Sequence, residues 1–487
     1  MKRKGYIISA VAVLAAVAAL FILTAGFDDR PGAPRITFYG GVRGIGGSCL
    51  MIDDGSERFL VDFGAEGDFK VRKAPFDAKK IDFVILTHSH MDHCGGLSEL
   101  CNAGFDGPIY CTEPTAKIVP VMLRMARSFN RKSIALEGLH RAIKDLEPVK
   151  FDKPVSRGGC TFVFRRAEHL LGAAFIEIDL HAGRDTTTVV CSGDLGSGNS
   201  VLLPPLELPH RADYVVVEST YGGAVRGDSI LDPYRRKEEF AEAVSHALKG
   251  GGDVLVPSFA LGRTQEVMAT IDYYERKGVI PSCDVYVDSP TAKKITRIYR
   301  QFKNELSKEA VRMYPREVLK FTGLKEVKSR VSLKVHRSQH RPSVFISTSG
   351  NLSYAISPRH LMEMYDDPKN LVCLVGYQDP GSVGYRLARG DSVVAVRYRE
   401  GRRTKKVYIV PALHVKKFYS FSGHADARTL FKWVRAAGKP RLVFIVHGEV
   451  KNSIALGKLL KSRLGLDYRI PHRGESFALD KALKAAR

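Results

Sequence analysis

The chain has 487 residues, enough for roughly two or three domains, and its content of 44% hydrophobic and 26% charged residues is typical of a globular protein. The charge balance is unusual, because 75 Lys and Arg against 52 Asp and Glu give a net charge of +23. Such an excess favours a polyanionic partner, either a nucleic acid or an anionic membrane surface, over a solubility adaptation or a host-wide basic bias. The eight cysteines form no CxxC pair, which argues against a zinc ribbon and a thioredoxin-like site.

The N-terminus predicts a membrane anchor. Lys2, Arg3 and Lys4 precede the uncharged run Tyr6–Phe27, which is about as long as a membrane-spanning helix and long for a signal peptide. Because a basic start tends to stay in the cytoplasm, the remainder of the chain is expected outside it, either anchored or exported after cleavage. The alternative is a cytoplasmic protein whose true start lies downstream of Met1. Residues 28–34, which include two prolines and a glycine, indicate a linker.

The part of the chain after the linker, up to residue 213, predicts mostly strands. Ser48–Ile52 and Arg58–Phe63 have the pattern of a β-hairpin, and Gly41–Gly47 before them has the composition of a turn. These glycines lack the Lys-Ser/Thr pair of a phosphate-binding P-loop, so we interpret them as a strand turn near a site. A helix is predicted over Pro114–Phe129.

After residue 213 strands and helices alternate, which predicts βαβ units around a parallel sheet. Helices are expected at Tyr234–Leu248, Thr264–Arg276 and Thr291–Phe302. Further along, Val393–Arg399 and Lys406–Val410 return to a hairpin-like pattern. The stretch 303–341, rich in Lys and Arg, predicts a basic surface with little regular structure.

The most specific chemical motif follows the apolar run Phe83–Leu86. His88, His90, Asp92 and His93 place four metal-ligand side chains within six residues. Their spacing does not fit one face of a helix, but a loop at the end of a buried strand can turn all four inward. Imidazole and carboxylate together suit zinc and its neighbours among the metals.

Three later segments each place one possible metal ligand near the end of a predicted strand. His169 precedes one predicted strand, Asp194 follows another, and His447 ends a third. Each is weak by itself, because a strand-end histidine is more often a hydrogen-bonded structural residue than a metal ligand. Their order after the first cluster strengthens the interpretation.

In combination these segments resemble the metallo-β-lactamase-fold hydrolases, in the β-CASP branch that processes nucleic acids. Val217–Gly222 is similar to the acidic motif that opens the inserted domain of that branch, Phe421–Asp426 to its second motif, and His447 to its third. Pro257–Glu266 and Val375–Gln378 are also similar to segments of the insertion. The match covers residues 36–475.

The resemblance implies an α/β fold, with a four-layer αββα metallo-β-lactamase domain and an inserted β-CASP α/β domain, preceded by an N-terminal hydrophobic helix. The expected divisions are residues 1–34 for the anchor and linker, 35–213 for the first part of the metallo-β-lactamase domain, 214–392 for the β-CASP domain, and 393–487 for the second part.

The resemblance also implies two zinc ions per active site. His88, His90 and His169 would hold one, and Asp92, His93 and His447 the other, with Asp194 bridging both. Asp62 would orient these ligands from behind. The expected catalytic residues are Asp92, His424 as general acid on the leaving oxygen, and Glu218, which would position His424.

Substrate contacts are predicted with less specificity. Backbone amides around Ser349, Gly350 and Asn351 could hold a phosphate, and Arg263 could contact a nucleic-acid backbone. Ordinary surface charge is an equal alternative for Arg263.

The leading hypothesis is zinc-dependent endonucleolytic cleavage of single-stranded RNA, because the histidine of the third motif resembles the RNA-processing members and the compact chain resembles the cleavage-and-polyadenylation endonucleases. The alternative is an exported metal-dependent phosphodiesterase or nuclease acting on DNA or another phosphodiester. A non-catalytic nucleic-acid-binding module is disfavoured by the intact ligand set, and a β-lactam hydrolase by the long insertion. The oligomeric state stays open, with a homodimer as one alternative.

Overall fold

The computed structural model describes residues 33–67, 73–131, 134–182, 185–225, 232–327, 342–401 and 403–479. The predicted N-terminal hydrophobic helix over Tyr6–Phe27 lies outside these ranges. Within them, no helix combines the length and the apolar character needed to cross a membrane.

Two seven-stranded sheets form the larger part of the molecule. Sheet 1 has the strand order β22-β1-β2-β3-β4-β5-β6, and its strands are β1 Arg35–Gly40, β2 Cys49–Asp53, β3 Arg58–Val61, β4 Phe83–Ile85, β5 Ile109–Thr112, β6 Leu146–Val149 and β22 Ser476–Ala478. The predicted hairpin of β2 and β3 is present, and the Asp54 carboxylate closes its turn by accepting hydrogen bonds from the amides of Ser56 and Glu57, both at 2.8 Å.

Sheet 2 combines antiparallel and parallel strands in the order β21-β20-β11-β10-β9-β8-β7. Its strands are β7 Val155–Arg157, β8 Cys160–Arg166, β9 Ala174–Ala182, β10 Asp185–Cys191, β11 Tyr214–Glu218, β20 Leu442–Val446 and β21 Tyr468–Arg469. The strands β10, β11 and β20 are mutually parallel, so their carboxyl ends meet at one edge of the sheet.

Twelve α-helices lie in the described ranges. They are α1 Met91–Cys94, α2 Leu97–Asn102, α3 Glu113–Phe129, α4 Leu136–Lys144, α5 Glu238–Lys249, α6 Arg263–Arg276, α7 Pro290–Gln301, α8 Lys308–Met313, α9 Ser357–Met362, α10 Val383–Arg389, α11 Ala427–Ala436 and α12 Val450–Leu464.

Sheets 1 and 2 pack face to face, with helices on both outer faces. The core between them joins side chains of both sheets, among them Phe59 and Phe83 from sheet 1 and Phe162 and Phe444 from sheet 2. A second core lies between sheet 1 and the helices α2, α3 and α4. A third lies between sheet 2 and α11 and α12, where Trp433 is fully buried. The order of layers is therefore helix, sheet, sheet, helix.

The insertion is built on a parallel six-stranded sheet 3, in the order β14-β13-β15-β12-β16-β19. Its strands are β12 Val254–Pro257, β13 Asp284–Asp288, β14 Leu324–Glu326, β15 Ser343–Ser347, β16 Leu371–Leu374 and β19 His414–Lys417. The range of strands in sheet 3 does not coincide with residues 214–392, the predicted limits of the inserted domain. The strand β11 belongs to sheet 2, and β19 belongs to sheet 3, because each pairs with a partner distant in sequence.

A separate two-stranded hairpin, β17 Val394–Glu400 and β18 Arg403–Ile409, lies against the insertion. Its buried side chains Val394, Val396 and Ile409 join a core that includes Leu352 and Leu387. The hairpin therefore packs on the insertion, although the sequence division assigned it to the second part of the larger domain.

Candidate metal centre

Strand ends of sheets 1 and 2 place the predicted ligands in one cluster. Asp62 follows β3, and His88 and His90 lie in the loop after β4, which pairs with β3 in parallel. Asp92 and His93 lie in the short helix α1 that follows this loop. On sheet 2, Asp194 follows β10, Glu218 ends β11 and His447 follows β20. His169 lies in the loop between β8 and β9. The facing sheets thus bring residues from widely separated parts of the chain to a common edge.

Asp194 lies at the middle of this cluster. Its oxygens are 3.4, 3.3, 3.5 and 3.4 Å from imidazole nitrogens of His88, His93, His169 and His447 respectively. Three groups share it, each with its ligand atoms within 4.8 Å of one another. Two consist of predicted ligands: one adds His88, His90 and His169, and the other adds Asp92, His93 and His447. The third adds Glu218 and His424, which were predicted as catalytic residues. All seven predicted ligands therefore meet at one place.

Three buried polar atoms of the cluster have no hydrogen-bond partner among the described residues. Within the described ranges, both carboxylate oxygens of Asp194 and Nε2 of His88 are buried without a hydrogen bond. Burial raises the pKa of Asp194, but the histidines around it outweigh this effect and hold that pKa well below its usual range. Burial also lowers the pKa of His90 to about 3, which favours the neutral imidazole that a metal ion needs. Buried, unpaired carboxylate and imidazole donors fit one or more divalent cations.

Asp62 and Thr87 support the cluster from behind. The Asp62 carboxylate lies 2.7 Å from Nδ1 of His93 and accepts hydrogen bonds from both the amide and the hydroxyl of Thr87, each at 2.8 Å. The Thr87 hydroxyl in turn lies 3.0 Å from Nδ1 of His88. Sequence reasoning missed Thr87, for which the only available indication was its position between the buried strand and His88.

The backbone at the centre adopts conformations that side chains other than glycine rarely take. Asp62 has a φ of 62° and His447 a φ of 47°, both at the ends of strands. Such conformations persist where the surrounding structure enforces them, and they occur often at functional sites.

His424 and Glu218 lie at the edge of the cluster. His424 Nδ1 is 3.2 Å from Glu218 Oε2 and 3.9 Å from Asp194 Oδ2. Glu218 is itself fixed, because its other oxygen accepts a hydrogen bond of 2.7 Å from the amide of Leu195. Burial lowers the pKa of His424, but the negative charges of Glu218 and Asp194 outweigh burial and raise it to about 9. The Tyr221 ring meets the His424 ring edge-on, with centroids 6.1 Å apart.

Two of the predicted substrate residues, Ser349 and Asn351, have side chains that bond within the protein. Ser349 and Asn351 are buried, with the Ser349 hydroxyl donating to Asn351 Oδ1 at 2.9 Å and Asn351 Nδ2 donating to Asp379 at 2.7 Å. Their side chains hold the loop together, which leaves only its backbone for a ligand. Gly350 packs so closely on Phe259 that a Cβ atom would lie 3.1 Å from its ring.

Arg263 has the properties of a binding residue. Its Nε has no hydrogen-bond partner in the described part of the chain, and burial lowers its pKa. A Cβ atom on Gly423 would lie 3.0 Å from the Arg263 guanidinium and 3.5 Å from His169, so the guanidinium is adjacent to the cluster. A partly unsatisfied guanidinium beside a metal-ligand cluster is suited to binding an anion.

Three family models match consecutive parts of the chain. Residues 42–247 match the metallo-β-lactamase superfamily, residues 264–387 the β-CASP domain, and residues 409–471 the Zn-dependent metallo-hydrolase RNA specificity domain. The third match contains both His424 and His447.

Characterised relatives match over most of the chain. A protein named ribonuclease TTHA0252 from Thermus thermophilus is 32% identical over 91% of this chain and 99% of its own length. A transcription termination factor named FttA from Methanocaldococcus jannaschii is 32% identical over 85% of this chain and 67% of its own length.

A solved structure shows the same fold. It is a protein of unknown function from Enterococcus faecalis, which matches with a TM-score of 0.55 and 14% identity over 91% of this chain and 99% of its own. The family models, the relatives and the ligand cluster agree. The chain belongs to the β-CASP branch of the metallo-β-lactamase superfamily and is a metal-dependent hydrolase.

Proposed function

We propose that this protein cleaves single-stranded RNA endonucleolytically, with two zinc ions held by the seven-ligand cluster. The observation that carries the proposal is the His424–Glu218 pair, because it adds a positioned imidazole to the edge of a metal centre. A metal centre by itself fits many hydrolases.

The spacing of the ligand atoms supports zinc. Two ligands about 2.1 Å from one tetrahedral ion lie about 3.4 Å apart. The distances from Asp194 to the four surrounding histidines are 3.3–3.5 Å, longer than ordinary hydrogen bonds and close to that value. Because Asp194 contributes one oxygen to each group, the arrangement suits a pair of ions rather than one.

Different residues of the chain have different roles in the reaction. Bound zinc ions supply a nucleophile from water near neutral pH and neutralise charge on the phosphoryl group. Glu218 holds Nδ1 of His424, so Nε2 is the nitrogen left to give a proton to the ribose oxygen as its bond to phosphorus breaks. Arg263 binds a phosphate next to the scissile one, and the lack of a hydrogen-bond partner for its buried Nε among the described residues supports this role.

The preference for RNA over DNA rests on two similarities, and the net charge suits either polyanion. The chain matches an RNA specificity domain over residues 409–471, and one relative bears the name ribonuclease. The net charge of +23 suits a polyanion. The alternative, cleavage of DNA or another phosphodiester, uses the same metal chemistry and is separated from the proposal by the experiment below.

The test uses the full chain, loaded with zinc, and a circular unstructured RNA. A circle has no ends, so its linearisation reports endonucleolytic cleavage alone. We expect linear product that disappears with chelator and returns with zinc, and little product from a single-stranded DNA circle of the same sequence. Equal cleavage of DNA would contradict the RNA assignment, and cleavage of linear RNA without cleavage of the circle would contradict the endonucleolytic mode. Metal analysis that finds fewer than two ions per chain would contradict the two-zinc site.

The location of the protein is a separate proposal, which rests on the sequence of residues 6–27 alone. We propose that this uncharged run anchors the chain and places the hydrolase outside the cytoplasm. Fractionation of the native host tests it. Recovery of the protein in the soluble cytoplasmic fraction would contradict it.

A further inference from the structure

One face of the β17–β18 hairpin carries three basic side chains and no acidic one. Alternation along the strands places Val394, Val396 and Ile409 on the buried side. The opposite side presents four residues that we call the ribbon face: Arg397, Arg399, Lys406 and Tyr408, all of them exposed. Tyr408 is 65% exposed, and the Lys406 ammonium lies 5.0 Å from the centre of its ring.

The ribbon face places two like charges opposite one another. Arg397 is the direct cross-strand partner of Lys406, and like charges in that position destabilise a sheet. Arg397, Arg399 and Lys406 make no ion pair with any residue in the described ranges, whereas Glu400 pairs with Lys405 on the other side of the hairpin. The positive charge of this face is therefore available to an external partner.

The hairpin is connected through α10 to the loop of Ser349, Gly350 and Asn351, because Leu387 of α10 shares one core with Val394 and Val396. That helix begins next to the loop, where the Gly384 amide donates a hydrogen bond of 3.0 Å to the Asn351 carbonyl. A hydrogen bond from Lys406 lowers the pKa of the Tyr408 hydroxyl, and the charges of Lys406 and of Arg386, farther along α10, act in the same direction. Because seven helical residues span about 10 Å, one extended strand could follow α10 from the loop to the ribbon face.

We propose that the ribbon face is a second RNA-binding surface. It holds one part of the single-stranded RNA away from the metal centre while another part of the same RNA is cut. The three cations contact backbone phosphates, and the Tyr408 ring stacks on a base. This inference rests on the RNA substrate proposed above and adds a surface to it.

The test compares the full chain with two triple variants. The ribbon variant carries Arg397→Ser, Arg399→Ser and Lys406→Ser. The control variant carries Lys144→Ser, Lys150→Ser and Lys153→Ser, which removes the same charge from exposed positions around β6 and the segment after it. All three proteins carry His424→Gln in the binding measurements, so that the RNA stays intact.

Binding is measured against salt with an unstructured RNA of about 30 nucleotides. Loss of three phosphate contacts lowers the slope of log affinity against log salt by about 2. When the salt concentration is raised from about 50 to 200 mM, the affinity of the protein with the native hairpin should therefore fall about twentyfold more than the affinity of the ribbon variant. The control variant should keep the native slope. Equal slopes for all three proteins, or a lowered slope in the control as well, would overturn the proposal.

Tyr408 gives an independent measurement. Tyr408→Ala should weaken binding of the long RNA about tenfold, and Tyr408→Phe should keep the native affinity, because stacking needs only the ring. Cleavage of a dinucleotide, which is too short to span α10 between the loop and the ribbon face, reports on the centre alone. Failure to cleave it would contradict the proposed function, whereas native cleavage with unchanged long-RNA binding would contradict only the second surface.

Vesicles of anionic phospholipid distinguish a membrane from RNA as the partner. Tyr408 and the neighbouring Val410 are both exposed, so a lipid surface is the competing occupant. Loss of vesicle binding in the ribbon variant together with native RNA binding would overturn the proposal. Loss of RNA binding alone supports it.

Discussion

The pair of His424 and Glu218 is proposed to transfer a proton, whereas the neighbouring Asp194 is proposed to hold metal. Asp194 is surrounded by imidazoles of the ligand set and lies 3.9 Å from His424 as well, so the proposed acid and the proposed bridging ligand are neighbours. Glu218 is fully buried, and its carboxylate lies between the Leu195 amide and His424. The carboxylate therefore fixes both the orientation and the charge preference of the imidazole.

His424→Gln should reduce the rate of RNA cleavage by about 10²–10⁴-fold and leave zinc content unchanged, because it removes a proton donor and no predicted ligand. Single-turnover rates and metal analysis measure the two effects. The matched control is His360→Gln, which alters another buried histidine, 3.0 Å from the Asp288 carboxylate and outside the cluster. Native cleavage by the His424 variant would exclude it as the general acid.

Asp62→Asn should weaken zinc affinity about 10–100-fold, because it weakens the contact that orients His93 and alters the hydrogen bonds to Thr87. Competition with a chromophoric chelator measures the affinity. Asp179→Asn is the control, since Asp179 accepts a hydrogen bond of 2.6 Å from Thr188 in sheet 2, away from the ligands. If both variants bind zinc equally well, Asp62 has no orienting role.

The ligand residues could be predicted because histidine and aspartate at strand ends are recognisable from sequence. Thr87 could not, since threonine is common in strands and its role depends on Asp62, which lies 25 positions earlier in the chain. The backbone amides around Ser349 and Asn351 were predicted to hold a phosphate, and this stays a prediction, whereas the internal bonds of the two side chains to one another and to Asp379 were not predicted. Whether a polar side chain faces a ligand or the protein depends on tertiary packing, which local sequence does not specify.

Among the elements, the loop after β3 and the loop after β4 are packed backbone against backbone. A Cβ atom on Gly64 would lie 1.7 Å from the carbonyl oxygen of Asp92, so only glycine fits this position. The Asp92 carbonyl also accepts a hydrogen bond of 2.8 Å from the Ser48 amide. The two loops therefore move as one unit, and the position of Asp92 depends on the absence of a side chain at Gly64.

Gly64→Ala should lower the free energy of unfolding by about 1–3 kcal/mol, because the loop has to shift to admit a methyl group. It should also reduce zinc content, since the shift displaces Asp92. Denaturant unfolding and metal analysis test these effects. Gly67→Ala, where a Cβ atom meets no heavy atom within 4 Å, should change neither quantity. Equal behaviour of the two variants would contradict the packing argument.

Long elements with a clear period were predictable, and short ones were not. The predicted helix Pro114–Phe129 matches α3, and the hairpin of β2 and β3 is present. The four-residue strand β5 was missed because a short apolar run does not distinguish a strand from part of a helix. The strand β6 was missed because its sequence, Leu-Glu-Pro-Val, contains a charge and a proline, which are both rare in strands. The sheet membership of β11 and β19 was also missed, since each pairs with strands far away in sequence.

On the scale of the whole molecule, the proposed zinc ions connect the two sheets of the larger domain. His88, His90, Asp92 and His93 follow a strand of sheet 1, whereas His169, Asp194 and His447 lie on loops of sheet 2. Without metal, the buried Asp194 carboxylate has no hydrogen bond from the described part of the chain to offset its loss of hydration. Zinc binding should therefore stabilise the contact between the sheets as well as enable catalysis.

Removal of zinc with a chelator should lower the midpoint of thermal unfolding, and restoring zinc should return it. Zinc that binds only the folded chain adds about 2.7 kcal/mol at a free concentration of about 100 times Kd. Scanning calorimetry measures the midpoint, with Asp194→Asn as the variant that should not respond to zinc, because it weakens both predicted groups at once. Asp179→Asn keeps the full ligand set and should respond as the native chain does. If the midpoint of the native chain is unchanged after metal analysis shows that the zinc is gone, the ions do not join the sheets.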